Sequence, residues 1–407
     1  MIARSLHMRW IALASFASVS CGADIRVGAD VATIAEAIGR AEPGDTIHLE
    51  PKVYRECAEF AGVQGSPGKP ITLDGHGATL DGSDPLDPAD WREVSPGLFA
   101  NDNLLPKLNT AIIDRWFFLW DGRMNHMGRT AKGKKAALAR PEELKAGEWT
   151  FARDSSREQP SSREIFGTFF LKLAVGQTLD AARIAAPVRS AGVLMRGDNK
   201  HLVIRNLTAT HAYNDGFNVH GDCRDVAFEN IAAIECGDDG ISGHETAEYR
   251  IDGLVSIGNS TGITDIGEAR TRYNRVLIAD CLAYDLYFWE RGRYQLSNAI
   301  ILSSAEQPFV VEGRDGHGCT VELDNVLFRR IGPPAPARFM RPVIVKATRL
   351  TMDGIGIEGD ADVTLDDSVI DGRPTMPEDR GAEQAELMRI VPRPPAGAIP
   401  ERRPPRQ

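Results

Sequence analysis

The chain has 407 residues, 42% hydrophobic and 26% charged, with a formal net charge of −10. That is enough apolar material for a sizeable core, which excludes a wholly disordered polymer. The negative balance excludes a sequence-independent grip on phosphates, so no nucleic acid partner is expected.

The chain opens with "MIARSLHMRWIALASFASVSCGA", in which Arg4 and Arg9 precede an apolar run ending in small residues. This is the layout of a secretory signal over residues 1–23 and predicts a secreted or periplasmic protein. Cys21 stands where a lipid anchor would attach, although Ser18 occupies a position where leucine is usual. No later segment reaches about eighteen consecutive apolar residues, so no membrane span is expected. Cys57, Cys223, Cys236, Cys281 and Cys319 are odd in number and contain no C-x-x-C pair. They read as core thiols, with neither a zinc site nor a disulfide framework.

Residues 24–90 read as a cap and the first turns of a solenoid. Asp30 is placed to cap a short helix with the apolar face Val31, Ile34, Ile38 and Ala41, and "EPGD" turns the chain into "TIHLE". A helix there would plug the open end of a stack of coils. "ITLDGHGATLDG" supplies the next strands. From about 91 to 190 the period is lost through "IIDRWFFLWDG", "RTAKGKKAALAR" and "GTFFLKLAVG". We read an inserted β-rich subdomain, because a structureless loop of that length is unusual. Its Arg123, Arg129, Lys132, Lys134, Lys135 and Arg140 either line a groove for an anionic chain or form a solvated loop.

Residues 191–371 repeat themselves. "NDGFNVHG" and "DDGISGHE" share an acidic residue, a glycine, an alternating run and a histidine, and "STGITDIG", "YFWERG" and "FVVEG" continue the series. Each is preceded by a second strand-like run such as "HLVIRNLTA" or "DVAFENIAA". A period of about 21 to 25 residues with two or three short strands is one coil of a parallel β-helix, so the fold class is all-β. Equivalent residues then stack in columns about 4.8 Å apart. Alternation sends Phe217, Val219, Ile241, Ile263, Phe288, Phe309 and Val311 inward. Asn218, His220, Ser242, His244, Thr264, Trp289, Arg291 and Glu312 fall outward. Asp265 and Glu290 take inward positions near strand ends, where they should turn to solvent or pair. The tail from 372 to 407 is polar, with six prolines in its last sixteen residues, and reads as disordered.

On "PGDTI" and the coils from about Asn199 to Gly318, the sequence resembles the secreted pectin-lyase-like right-handed parallel β-helix enzymes. The pair "NDGF" then "DDG" is most similar to the calcium-dependent pectate lyases that use a lysine base. That resemblance implies calcium at Asp215, Asp238 and Asp239. Two positions depart from it: Ser242 replaces a further calcium-binding aspartate, and Thr264 replaces the lysine. The base of a lyase would then be Arg291, His244, His220 or Arg270, with Arg272 in the same turn. "NDG" and "GDD" also resemble the first two motifs of polygalacturonases, which would make the aspartates acid and base. Tyr287, Trp289 and Asn218 are candidate sugar contacts, since flat aromatic faces suit the apolar sides of sugar rings.

The leading expectation is therefore calcium-assisted β-elimination on a uronate-containing polysaccharide. Hydrolysis of a glycosidic bond and non-catalytic glycan binding at a cell surface stand beside it. A monomer is expected.

Overall fold

The computed structural model describes residues 22–105, 108–125, 135, 138–154, 165–370, 380–393 and 395. Cys21, Arg129, Lys132 and Lys134 lie outside them. The described residues build two long parallel sheets, of 13 and 9 strands, and two four-stranded antiparallel sheets. The parallel sheets alternate along the chain, so each coil contributes one short and one long strand. The short strands include Ala191–Arg196, Asp215–Val219, Asp239–Gly243, Thr261–Asp265, Tyr284–Trp289 and Gln307–Glu312. The long ones include Lys200–Thr210, Arg224–Ile234, Glu248–Ile257, Arg270–Ala279 and Arg293–Ser303.

Two parallel sheets can face each other only if the long strands bend. Each does so at a residue with positive φ: Asn206 at 54°, Asn230 at 51°, Gly253 at 89°, Arg275 at 58° and Asn298 at 52°. Asparagine tolerates this left-handed conformation better than most residues, and glycine has no Cβ to clash. Asn325 in turn donates to Asn298 at 2.8 Å, so the bend is itself a hydrogen-bonded column. Inside, Phe217, Phe228, Ile263, Phe288 and Phe309 are fully buried, and each such side chain contributes about 1.5–3 kcal/mol of transfer free energy.

The solenoid ignores its insertion. Ile71–Asp81 pairs in register with Lys200–Thr210, and Ala58–Ala61 pairs with Ala191–Arg196. Between them, Leu98–Asn101, Glu148–Arg153 and Gly167–Lys172 form an antiparallel sheet around a separate core of Trp116, Phe118, Trp149 and Phe169. Among the described residues, no helix is long and apolar enough to cross a membrane. The five cysteines after Cys21 are free; Cys57 is half-buried and the other four are buried.

Two sequence expectations are corrected. The helix Ile34–Arg40 does plug the solenoid with Ile34 and Ile38, but Thr33 caps it, accepting from the Glu36 N–H. Asp30 instead accepts from the Arg26 N–H at 2.8 Å, because the chain makes an extra turn before the helix. Asp265 and Glu290 both pair, as expected: Asp265 inside the solenoid with tyrosine hydroxyls, and Glu290 with Arg314 at 2.8 Å. The tail is not wholly irregular: Arg380–Ile390 is helical, and Leu387 and Val391 bury against Ile300 and Leu327 on the outer face of the long sheet.

Candidate functional site

The repeated phrase places acids in register. Phe217 pairs with Ile241 and Asn218 with Ser242 across adjacent coils, which sets Asp215 beside Asp239. Strict alternation would send Asp215 inward with Phe217. Gly216 breaks the alternation: a Cβ there would meet the Ala233 Cβ at 2.7 Å and the Gly240 carbonyl oxygen at 2.7 Å. Gly216 thus faces the interior, and Asp215 is left on the outward side with Asn218 and Ser242. The glycine of the repeat serves packing, and the aspartate beside it serves the cleft.

Asp215, Asp238 and Asp239 each present an oxygen within 4.8 Å of the others, and all three are buried. Asp215 accepts from Asn218 Nδ2 at 2.5 Å, Ser242 Oγ at 2.8 Å and the Asp239 N–H at 3.0 Å. Burial, and then the charges of Asp239 and Asp238, push its carboxyl well above the usual carboxylate range. The acids titrate as a coupled group, so this rise belongs to the cluster rather than to Asp215 alone.

A cation also reaches the cluster, from the insertion. The helix Thr110–Arg115, capped by the Asn109 side chain on the Ile112 N–H, ends with the Arg115 guanidinium 2.7 Å from Asp238. Both side chains of the pair are 9% exposed. Trp116 anchors this end of the helix, stacking on Tyr213 two residues before Asp215 at a centroid distance of 6.4 Å. Calcium takes six to eight oxygen ligands. The three carboxylate oxygens lie close enough together to share one cation, for which three N–H and O–H donors at Asp215 and the guanidinium at Asp238 would compete. Arg115→Met is expected to lower stability by about 3–5 kcal/mol, because it leaves a buried carboxylate without its charge partner. Urea unfolding measures this, and adding Asp238→Asn in the same chain should recover part of the loss.

The cluster floors a cleft of about 370 Å³ whose walls include His220, His244, Thr264, Tyr287 and Trp289. The two imidazoles stack at 4.1 Å with 5° between planes, and His220 Nδ1 lies 3.1 Å from both Glu245 oxygens. Burial opposes ionisation of Glu245, yet the Gly221 N–H and His220 hold it below its ordinary range. Tyr287 and Trp289 share a face, with centroids 6.4 Å apart, and Arg314 lies 5.3 Å from the Trp289 ring. Asn218 Oδ1 and Thr264 Oγ1 are buried without a hydrogen-bond partner. Both line the cleft and are free to meet hydroxyl groups of a ligand.

Of the residues singled out from sequence, the structure gathers Asp215, Asp238, Asp239, Asn218, His220, His244, Tyr287 and Trp289 in this cleft. Arg291 and Arg270 are corrections. The chain turns at Glu290, with φ 74°, so Arg291 leaves the outward column and pairs with Glu268 at 3.8 Å. Arg270 and Arg272 begin the next long strand and face a different groove. Arg140 of the basic stretch is taken up by Glu143, which accepts from its Nε at 3.0 Å. Arg115 was missed: it sits in an unremarkable apolar segment far from Asp238 in sequence, and only its place after an asparagine-capped turn marks it.

No protein-family model and no curated protein matches the chain. Among solved structures it is similar to XylC in complex with xylose, with TM-score 0.53 and 12% identity over 81% of this chain and 67% of that one. A glycoside hydrolase aligns at TM-score 0.48 and 10% identity, covering 91% and 98%. The Gp54 tailspike of Acinetobacter baumannii bacteriophage AP22 in complex with A. baumannii capsular saccharide gives 0.20 and 10%, covering 83% and 64%. At such identities a likeness bears on fold alone, and the XylC alignment is the one that carries it. With its stacked coils, plugging helix and inserted sheets, the chain has a parallel β-helix fold.

Proposed function

We propose that this protein cleaves glycosidic bonds of a polysaccharide by hydrolysis in the aspartate cleft. The observation that carries this reading is the set of three buried carboxylates from two adjacent coils, their oxygens within 4.8 Å of one another, beside an aromatic wall. Asp215 is the proton donor and Asp239 the partner carboxylate. Their oxygens lie closer than the roughly 6.5–9.5 Å that leaves room for an attacking water, which favours the retaining route. Asp239 then bonds to the anomeric carbon as the Asp215 proton passes to the leaving oxygen. In the second half, water displaces Asp239 and returns a proton to Asp215.

The likeness to XylC, a structure with xylose bound, supports a saccharide as the ligand. β-Elimination is the weaker reading, because it needs a cation to neutralise a uronate carboxylate. Among the described residues lining the cleft, no lysine or arginine occurs, and the Arg115 guanidinium already meets Asp238 of the acidic cluster. Export, read from residues 1–23, is part of this proposal.

The test is a panel of neutral and acidic glycans with purified protein, reading new reducing ends and unsaturated-uronate absorbance together. Reducing ends without absorbance, unchanged by chelator and with anomeric configuration retained, are expected. Unsaturated product that chelator abolishes would overturn hydrolysis in favour of the calcium-assisted lyase.

A further inference from the structure

A groove of about 640 Å³ lies away from the aspartate cleft, where the long strands begin. Arg250, Arg270, Arg272, Arg291 and Arg293 line it. The parallel register sets like charges directly opposite one another: Arg250 pairs with Arg272, and Arg270 with Arg293, on neighbouring coils. At the spacing of adjacent strands, about 4.8 Å, facing like charges repel.

The carboxylates of the groove offset only part of this, although Glu248 stands opposite Arg270 in the register. Asp225 lies 3.8 Å from Arg250, Glu268 lies 3.8 Å from Arg291, and Glu248 pairs with Arg224 at 3.4 Å. Arg270, Arg272 and Arg293 are exposed and have no ion pair within 4.0 Å among the described residues. Three guanidinium groups are therefore left over, concentrated on one face of a chain whose net charge is −10.

We propose that this groove is a second binding site, distinct from the cleft, for an acidic polysaccharide bearing carboxylate or sulfate groups. Guanidinium forks match such groups by paired N–H bonds, and an anion between opposed arginines replaces repulsion with attraction. The interleaved Asp225, Glu248 and Glu268 disfavour a nucleic acid, whose charges are far denser along its axis. A glycan charged once per ring can instead place its anions at the arginines and its hydroxyls beside the acids. The proposal does not depend on the cleft being catalytic.

The experiment is titration calorimetry of the full chain at low salt with polygalacturonate, dextran sulfate, neutral dextran and single-stranded DNA. Binding to polygalacturonate or dextran sulfate, and none to dextran, is expected; the two acidic arms distinguish carboxylate from sulfate. Arg270→Gln/Arg272→Gln/Arg293→Gln should weaken that binding at least tenfold, while Asp239→Asn leaves it unchanged. Removing the opposed charges should also leave the melting temperature of the ligand-free triple variant equal or higher. A smaller loss, loss in Asp239→Asn instead, preference for DNA, or no binding to either acidic glycan would each overturn the proposal. So would a triple variant that melts well below the wild type, since the arginines would then be structural.

Discussion

An Asp239→Asn variant is expected to lose glycan cleavage by about 10²- to 10⁴-fold in kcat, the usual contribution of a group acting on the reacting atoms. The substitution is nearly isosteric. The Asp239 N–H that donates to Asp215 belongs to the backbone and survives, so the ladder between the two coils is kept. What changes is charge. The charge of Asp239 follows burial as the next largest cause holding Asp215 protonated, so its removal should bring the Asp215 carboxyl back toward its ordinary range. Two measurements separate chemistry from structure. Thermal unfolding should be close to that of the wild type, and the infrared band of a protonated carboxyl should fade at lower pH in the variant. Turnover within a few-fold of the wild type would place the reaction elsewhere.

The second large effect concerns stability. Asp265 sits inside the solenoid and accepts from Tyr249 at 2.6 Å, Thr271 at 2.7 Å and Tyr273 at 2.9 Å. Burial nevertheless pushes its carboxyl up to about 7. In the unfolded chain it would ionise near 3.9. Between about pH 4 and 7 the folded protein therefore binds more protons at this site than the unfolded one. The stability it contributes is full below that window and falls as pH rises through it, by on the order of 4 kcal/mol. Asp285, also pushed up to about 7 by burial, has the same sign.

Urea unfolding at pH 4 and pH 8 should show the wild type losing more stability than Asp265→Asn over that interval. Equal losses in the two proteins would show that Asp265 does not titrate there. Asp265→Ala should be the more damaging change at either pH. It removes the acceptor of three hydroxyl groups. Tyr249 and Tyr273 still meet each other at 2.7 Å, but the Thr271 hydroxyl and one tyrosine hydroxyl lose their acceptor, at about 1–3 kcal/mol each, and a cavity opens.

Much of the architecture was legible because a solenoid writes its geometry into a local period. The spacing from Gly216 to Gly240 to Gly262 predicts stacked coils, and the pairing of Phe217 with Ile241 and Ile263 follows directly. The same register brings Asp215 to Asp239 and His220 to His244, so most of the cleft could be read from columns of sequence. Alternation failed at the ends of strands. Arg291 was expected in the outward column, yet the turn at Glu290 carries it to the other groove, since alternation holds only while the backbone stays extended. Asp265 was placed inward and expected to turn to solvent or pair; which partners it takes was not legible, since Tyr249 and Tyr273 lie on the opposite sheet, beyond the reach of any strand-local rule.

The sequence by itself determined the coil length, the inward and outward columns and the gathering of acids on one face. Each is a consequence of short-range spacing repeated many times, with neighbours in space about one period apart in the chain. Only the tertiary structure decided that Arg115 meets Asp238, and that the residual arginines of the coils collect in a groove of their own. The first contact joins an insertion to a coil across an aperiodic stretch. The second depends on which carboxylates the folded backbone brings within reach, and the pattern of residues along a strand does not encode that distance.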